Sequence, residues 1–211
     1  MLQKNYELID NWKNCSSLFD KQLILNYKEF YSNYPFHWTH YIELMKKIYF
    51  PGIKVLDVGC GCGFFYMLNK KHFSELNYTG IDYSPAAINL ATSHWEVNNF
   101  FCKDVFELEP NYTAPFDVIF SSALTVVTPY GDDIIRKILT LNSKFIILLK
   151  LKCTNKEESY FETESPYGLT TSYVFYHNYK NLKTMFNDNN YSFLRTESIS
   201  DYYSFLLTKN I

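Results

Sequence analysis

The sequence of 211 residues is poor in several features, and each scarcity excludes a class of protein. Seven glycines and seven prolines are too few for a collagen-like or other low-complexity chain. No apolar run approaches the roughly 18 residues of a membrane span, so no membrane association is expected. Hydrophobic residues reach 47%, with 19 Tyr and 18 Phe, against 20% charged residues. This composition predicts a folded domain with a sizeable core, and the length fits one compact unit.

An excess of basic charge is also missing, because the net charge is −2. The basic clusters Lys46-Lys47 and Lys70-Lys71-His72 are short, which predicts solvated helix faces and no nucleic-acid partner. The first thirty residues lack a basic stretch followed by an apolar one, and the five cysteines are odd in number, so we expect a cytoplasmic protein with reduced thiols. Cys60 and Cys62 have no second ligand pair at metal spacing, so no metal site is expected.

The apolar pattern changes near residue 50. Before that point a helical stripe through Trp38, Tyr41 and Met45 predicts an N-terminal helical cap over residues 1–50. From 51 to 211, short apolar strands alternate with helical segments, which predicts one compact α/β unit. The expected fold is α/β: a doubly wound, mostly parallel seven-stranded sheet with an antiparallel C-terminal hairpin strand, plus the N-terminal helices. The polar stretch 151–172 is expected to form a loop or lid.

Three of the seven glycines fall within five residues, at Gly59, Gly61 and Gly63, directly after the predicted strand 53–58. In a doubly wound sheet, ligands bind at the carboxyl ends of the strands, and glycines there allow a sharp turn and a close approach of the backbone. The spacing G-x-G-x-G differs from the dinucleotide pattern G-x-G-x-x-G. Asp57, two residues before the first glycine, would repel a pyrophosphate. The pattern therefore favours a cationic, amino-acid-like ligand over NAD.

The stretch from Asp57 to Gly63 resembles motif I of the class I S-adenosylmethionine-dependent methyltransferases, and the order of later motifs matches from about residue 50 to the end. The resemblance implies S-adenosyl-L-methionine as cofactor and S-adenosyl-L-homocysteine as product. It assigns Asp82 to the ribose hydroxyls, Asp104 to the adenine amino group, and Tyr83 to packing on the adenine ring. Ser121 follows the fourth strand, where the family lines the methionine end. The cofactor-binding set that the resemblance implies is Asp57, Gly59, Gly61, Gly63, Asp82, Tyr83, Asp104, Val105 and Ser121.

A hydroxyl acceptor benefits from a general base, and histidine is the usual choice near pH 7. In relatives, the N-terminal helices and the segment after the fifth strand cover the substrate, so His37, His40 and His177 could face one pocket. His177 is the favoured base and His37 the second choice. For each of them the alternative is a partly buried or surface histidine without a catalytic role. His72 and His94 are interpreted as surface residues or helix caps.

The resemblance implies transfer of a methyl group to a small molecule, with a hydroxyl of a sugar or secondary metabolite as the favoured acceptor. N-methylation of a small amine and a catalytically silent binding subunit are the alternatives. The tail Ser121–Leu124 lacks the Asn/Asp-Pro-Pro-Tyr/Phe pattern of enzymes that methylate amino groups of nucleic acids. A nicotinamide-dependent reductase is disfavoured by the G-x-G-x-G spacing. Tyr66 and Lys70 have the spacing of a reductase dyad, but they lie in the helix after the glycine loop, which is the wrong place for one. The expected state is a monomer or homodimer.

Overall fold

Strands and helices alternate along most of the chain in a computed structural model that describes residues 12–13, 15–109, 116–165, 168 and 171–210. Within the described residues, helices α1 (Ser16–Tyr31) and α2 (Phe36–Met45) precede the sheet. The remaining elements, in chain order, are β1 (Lys54–Val58), α3 (Phe64–His72), β2 (Asn77–Asp82), α4 (Pro85–Trp95), β3 (Phe100–Cys102), β4 (Val118–Ser122), α5 (Gly131–Thr140), β5 (Phe145–Thr154), β6 (Tyr160–Glu164), β7 (Ser172–Asn178), α6 (Tyr179–Asp188), β8 (Tyr191–Ile199) and β9 (Tyr202–Lys209). The first eleven residues of the predicted cap lie outside the described part.

The central strands are parallel and follow the order β3-β2-β1-β4-β5. On the far side of β5, β9 pairs antiparallel, and β8 pairs antiparallel with β9. These seven strands confirm the predicted doubly wound sheet with its antiparallel C-terminal hairpin. Residues 118–120 of β4 and 146–149 of β5 are apolar on both faces and buried, as expected for strands covered by helices on both sides.

The polar stretch 151–172 is not the loop that its composition predicts. Strand β5 continues to Thr154, and β6 and β7 form an antiparallel hairpin behind it. The chain bends at Lys150, which has a φ of +58°. Beyond the bend, Cys153 pairs in parallel with His177 of β7, on the edge of β5 that β4 occupies earlier. The hairpin therefore lies beyond the carboxyl end of β4. The aromatic and β-branched residues of the hairpin favour strands, and this composition was the feature of the sequence that could have predicted it.

Helices cover both faces of the sheet. On one face Trp38 and Tyr41 of α2 are buried, and the Tyr41 ring centroid lies 4.7 Å from that of Phe120 in β4. On the other face Ile138 of α5 and Phe186 of α6 are fully buried in a second cluster. The N-terminal helices thus share the core of the sheet. In the part of the chain that the structure covers, no helix combines the length and apolarity needed to cross a membrane.

Candidate cofactor site

A cavity of about 600 Å³ opens at the carboxyl ends of β1, β2 and β4. This volume is typical of small-molecule sites, and the place is where a doubly wound sheet binds ligands. Its wall comes from the N-terminal segment, the glycine turn, the ends of β2 and β3, and the chain after β4. The wall residues are Trp12, Lys13, Phe19, Gln22, Val58, Gly59, Gly61, Ile81, Asp82, Tyr83, Lys103, Asp104, Val105, Phe106, Ser122, Ala123, Leu124, Val127, Thr128, Tyr130, Asp133 and Ile134.

The glycine turn links β1 to α3 and forms the floor of the cavity. Gly59 has a φ of +79°, and a Cβ there would lie 3.0 Å from the side chain of Leu124. Its backbone N–H donates to the carbonyl of Ile81 at 2.8 Å, which ties the turn to β2. Gly63 has a φ of +73°, and a Cβ there would lie 2.6 Å from the ring of Phe100. Gly59 therefore exposes backbone to the cavity, whereas Gly63 is required for packing beneath it.

Asp82 ends β2 and combines burial with two backbone hydrogen bonds. Its carboxylate accepts from the N–H of Gly61 and from the N–H of Ser84, each at 2.9 Å. Burial raises the pKa of Asp82 to about 6, against the two backbone bonds, which favour the charged form. A carboxylate has about four lone-pair sites, so acceptor capacity remains for a ligand. Asp82 thus fixes the glycine turn and presents a carboxylate at the cavity wall.

Asp57, in β1, lies beneath the turn and is 1% exposed. It is not among the wall residues, so the structure does not place it against a ligand as the charge argument expects. The hydroxyl of Tyr78 donates to its carboxylate. Burial raises the pKa of Asp57 to about 8, although the bond from Tyr78 acts in the opposite direction. The pair belongs to the support of the site and not to its surface.

The other expected cofactor residues also fall into two groups, those that line the cavity and those that support its wall. Asp104 lies on the wall and accepts from the backbone N–H of Phe106 at 2.9 Å, which begins a short 3-10 turn. Tyr83 and Val105 are beside it on the wall. Ser121 is buried, and its hydroxyl donates to the carbonyl of Val58 at 2.8 Å. Six of the nine expected residues therefore line the cavity, and Asp57, Gly63 and Ser121 support it from behind.

None of the three candidate histidines is among the described residues of the wall. His177 has no exposed surface, and both of its ring nitrogens have partners, at Asp132 and Thr125. His40 Nδ1 lies 3.0 Å from the hydroxyl of Ser204. His37 Nδ1 is buried and has no hydrogen-bond partner among the described residues. Burial lowers the pKa of His37 well below its usual value, and the charge of Lys150 acts in the same direction.

Sequence reasoning missed the segment of residues 12–13, which lines the cavity. Trp12 donates from Nε1 to the hydroxyl of Ser172 at 2.6 Å, and the hydroxyl of Ser84 donates to the carbonyl of Lys13 at 2.7 Å. The two bonds attach this segment to β7 on one side and to the turn after β2 on the other. A single Trp in the N-terminal segment carries no periodic signal, so the apolar pattern could not assign it to the site.

Comparison with known proteins identifies the family. The fold and the site define a class I S-adenosylmethionine-dependent methyltransferase. A family model described as a methyltransferase domain matches residues 50–194, which is more than half of the chain, so the protein belongs to this family. The matched range includes the glycine turn, Asp82 and Asp104. The family expected from the motifs is thus confirmed, and S-adenosylmethionine is the cofactor of its class.

Individual relatives are more distant. Malonyl-[acyl-carrier protein] O-methyltransferase of Bacillus anthracis is 33% identical over 73 residues, which cover 34% of this chain and 26% of that protein. The match thus spans about a quarter of the curated relative. A solved methyltransferase from Clostridium acetobutylicum has a TM-score of 0.64 at 12% identity, over 90% of this chain and 98% of that one. Magnesium protoporphyrin IX methyltransferase from Synechocystis, solved with S-adenosylhomocysteine, has a TM-score of 0.60 at 17% identity, over 92% and 98%. At these identities the solved structures establish the fold.

Proposed function

We propose that this chain transfers the methyl group of S-adenosylmethionine to an oxygen atom of a small molecule bound in the described cavity. The observation that carries the proposal is the Asp82 carboxylate, which two backbone N–H groups hold at the wall beside the glycine turn. When bound, the cofactor supplies a methyl carbon made electrophilic by its sulfonium charge. The protein has to align the acceptor and exclude water.

The cofactor residues have roles that follow from their chemistry and from the family pattern. Asp82 accepts from the ribose hydroxyls through charge-assisted hydrogen bonds. Asp104 and Tyr83 receive the adenine at the end of β3, with Val105 beside them. Gly59 lies on the cavity wall, where its backbone, which carries no side chain, receives the amino-acid end.

The acceptor side is formed by the N-terminal segment and by the chain after β4. Trp12 and Phe19 contribute aromatic rings to the wall, and Lys13 contributes a cation. Asp133, on the same wall, is paired with Arg136 at 3.3 Å. These groups suit an acceptor with an apolar body and an acidic oxygen, such as a carboxylate or a phenolic hydroxyl. A carboxylate is ionised at neutral pH, and a phenol loses its proton far more readily than a sugar hydroxyl does, so either acceptor needs less help from a base.

The test is the release of S-adenosylhomocysteine with four acceptor pools: carboxylates, phenols, sugars and small amines. Turnover with the first or second pool supports the proposal, and turnover confined to amines contradicts it. Calorimetry with S-adenosylhomocysteine runs beside it and should show binding in the micromolar range. Binding without turnover in any pool would support the silent binding subunit instead. Absence of binding would contradict the cofactor assignment itself.

A further inference from the structure

We propose that His177 is a positioning residue of the methyl-transfer site, which it serves by fixing the wall loop, residues 123–130 after β4. The inference rests on the proposed function, because it assigns His177 a role in methyl transfer. The contacts that fix the loop are independent of that function. It replaces the role of general base that the sequence suggests for this histidine. A base must reach the proton of the acceptor with an available nitrogen, and His177 is fully buried and absent from the cavity wall.

Both ring nitrogens of His177 are used within the protein. Nδ1 lies 2.7 Å from Oδ1 of Asp132, the second residue of α5. Because a carboxylate only accepts, Nδ1 carries a hydrogen and donates it. Nε2 lies 3.1 Å from the hydroxyl oxygen of Thr125, in the wall loop. His177 therefore joins β7 to α5 and to the wall loop through two hydrogen bonds of normal length.

The second oxygen of Asp132 extends the connection to the inserted hairpin. It accepts from the hydroxyl of Ser159 at 2.7 Å, and the same hydroxyl accepts from the backbone N–H of Asn178 at 2.9 Å. Burial raises the pKa of Asp132, but the bonds from His177 and Ser159 outweigh burial, and the pKa lies below its usual value. Asp132 is thus a charged acceptor with two donors, and loss of either donor leaves a partly buried charge less well satisfied.

Close packing reinforces the hydrogen bonds. A Cβ added to Gly131 would lie 2.4 Å from the carbonyl oxygen of Thr125, 2.6 Å from the ring of Phe175 and 2.9 Å from Cε1 of His177. The backbone N–H of Phe175 also donates to the carbonyl of Val126 at 2.7 Å. Strand β7 therefore holds the wall loop by its backbone at one residue and by a side chain two residues later. These contacts pack Thr125 and Val126 of the wall loop against the start of α5 and against β7.

The wall loop faces in two directions. Thr125 and Val126 turn to β7, whereas Leu124, Val127 and Thr128 face the cavity. The loop starts at Ala123, a non-glycine residue with a φ of +63°, which is a conformation that persists only where the surroundings enforce it. Fixing the buried side of the loop consequently fixes the positions of the residues that line the cavity.

The experiment compares His177→Ala with His177→Gln. Glutamine places its amide near the position of Nε2, so it can still bond to the Thr125 hydroxyl of the wall loop, but it cannot act as a base. We expect His177→Ala to weaken S-adenosylhomocysteine binding about tenfold, because a loosened wall loop must be ordered when the ligand binds. His177→Gln should stay within about threefold of the wild type. Hydrogen exchange of residues 123–131 should be faster in the alanine variant and restored in the glutamine variant.

Unchanged affinity and unchanged loop exchange in His177→Ala would overturn the inference, and so would a glutamine variant as impaired as the alanine variant. A wild type that fails to bind S-adenosylhomocysteine would contradict the proposed function, whereas the loop exchange would still test the inference. His72→Gln is the matched control, since this histidine is exposed and lies outside the network. If His177→Ala does not fold, Ser159→Ala removes the other donor to Asp132 and should accelerate the same exchange.

Discussion

Binding of S-adenosylhomocysteine should depend on pH through Asp82. Its pKa of about 6 comes from burial, so the carboxylate is charged above pH 7 and mostly protonated at pH 5. Ribose hydroxyls donate best to the charged form. Affinity is therefore complete above pH 7 and falls as the pH falls through 6. If only the charged form binds, the dissociation constant rises about tenfold from pH 7 to pH 5, or about 1.4 kcal/mol.

The assay is isothermal titration calorimetry of the wild type and of Asp82→Asn at several pH values between 5 and 7.5. Asparagine is neutral throughout, so its binding should be weaker by about ten- to hundredfold at pH 7 and lack the pH dependence. Asp57, with a pKa of about 8, stays mainly protonated over most of this range and does not produce the same slope. A flat profile in the wild type, or the full slope retained in Asp82→Asn, would refute the role of Asp82.

Two further outcomes follow from the packing around the site. Gly63→Ala should lower the free energy of unfolding by about 2 to 4 kcal/mol, because a Cβ at a φ of +73° would lie 2.6 Å from the Phe100 ring. Gly52→Ala, with a φ of +85° and nothing within 4 Å, should cost only about 1 kcal/mol, and equal losses in urea titrations would argue against the contact. Trp12 lies on the cavity wall, and neither of the other two tryptophans does, so ligand binding should change tryptophan fluorescence in the wild type. The change should be lost in Trp12→Phe, and its persistence there would exclude contact between Trp12 and the ligand.

The cofactor half of the site could be predicted because its signal is local. Gly59 must turn at the end of β1, and Asp82 must end β2, so both features follow from short stretches of sequence next to a strand. Adjacent parallel strands bring their carboxyl ends together, and this places the two residues at one cavity. The motif did not distinguish residues that face the ligand from those that support it. Asp57 and Ser121 belong to the second group because both side chains are buried behind the wall.

The acceptor half could not be predicted in the same way. His177 was expected in a segment beyond a lid, but it lies in a strand whose register decides which way its side chain points. A shift of one residue in a strand exchanges its two faces, and no rule of composition fixes that register. In the observed register of β7, the side chain of His177 points to Asp132 and not to the cavity.

The sequence alone determined the alternation of strands and helices, the glycine turn, the two acids at strand ends and, through them, the family and its cofactor. These features depend on neighbours within a few residues, where backbone sterics and hydrogen bonding act directly. Only the tertiary structure decided that residues 12 and 13 line the cavity and that β6 and β7 form a hairpin. It also decided that the three candidate histidines do not line the cavity. These depend on contacts between residues as far apart as Trp12 and Ser172. Such contacts arise only when packing of the whole chain has fixed each strand in its register.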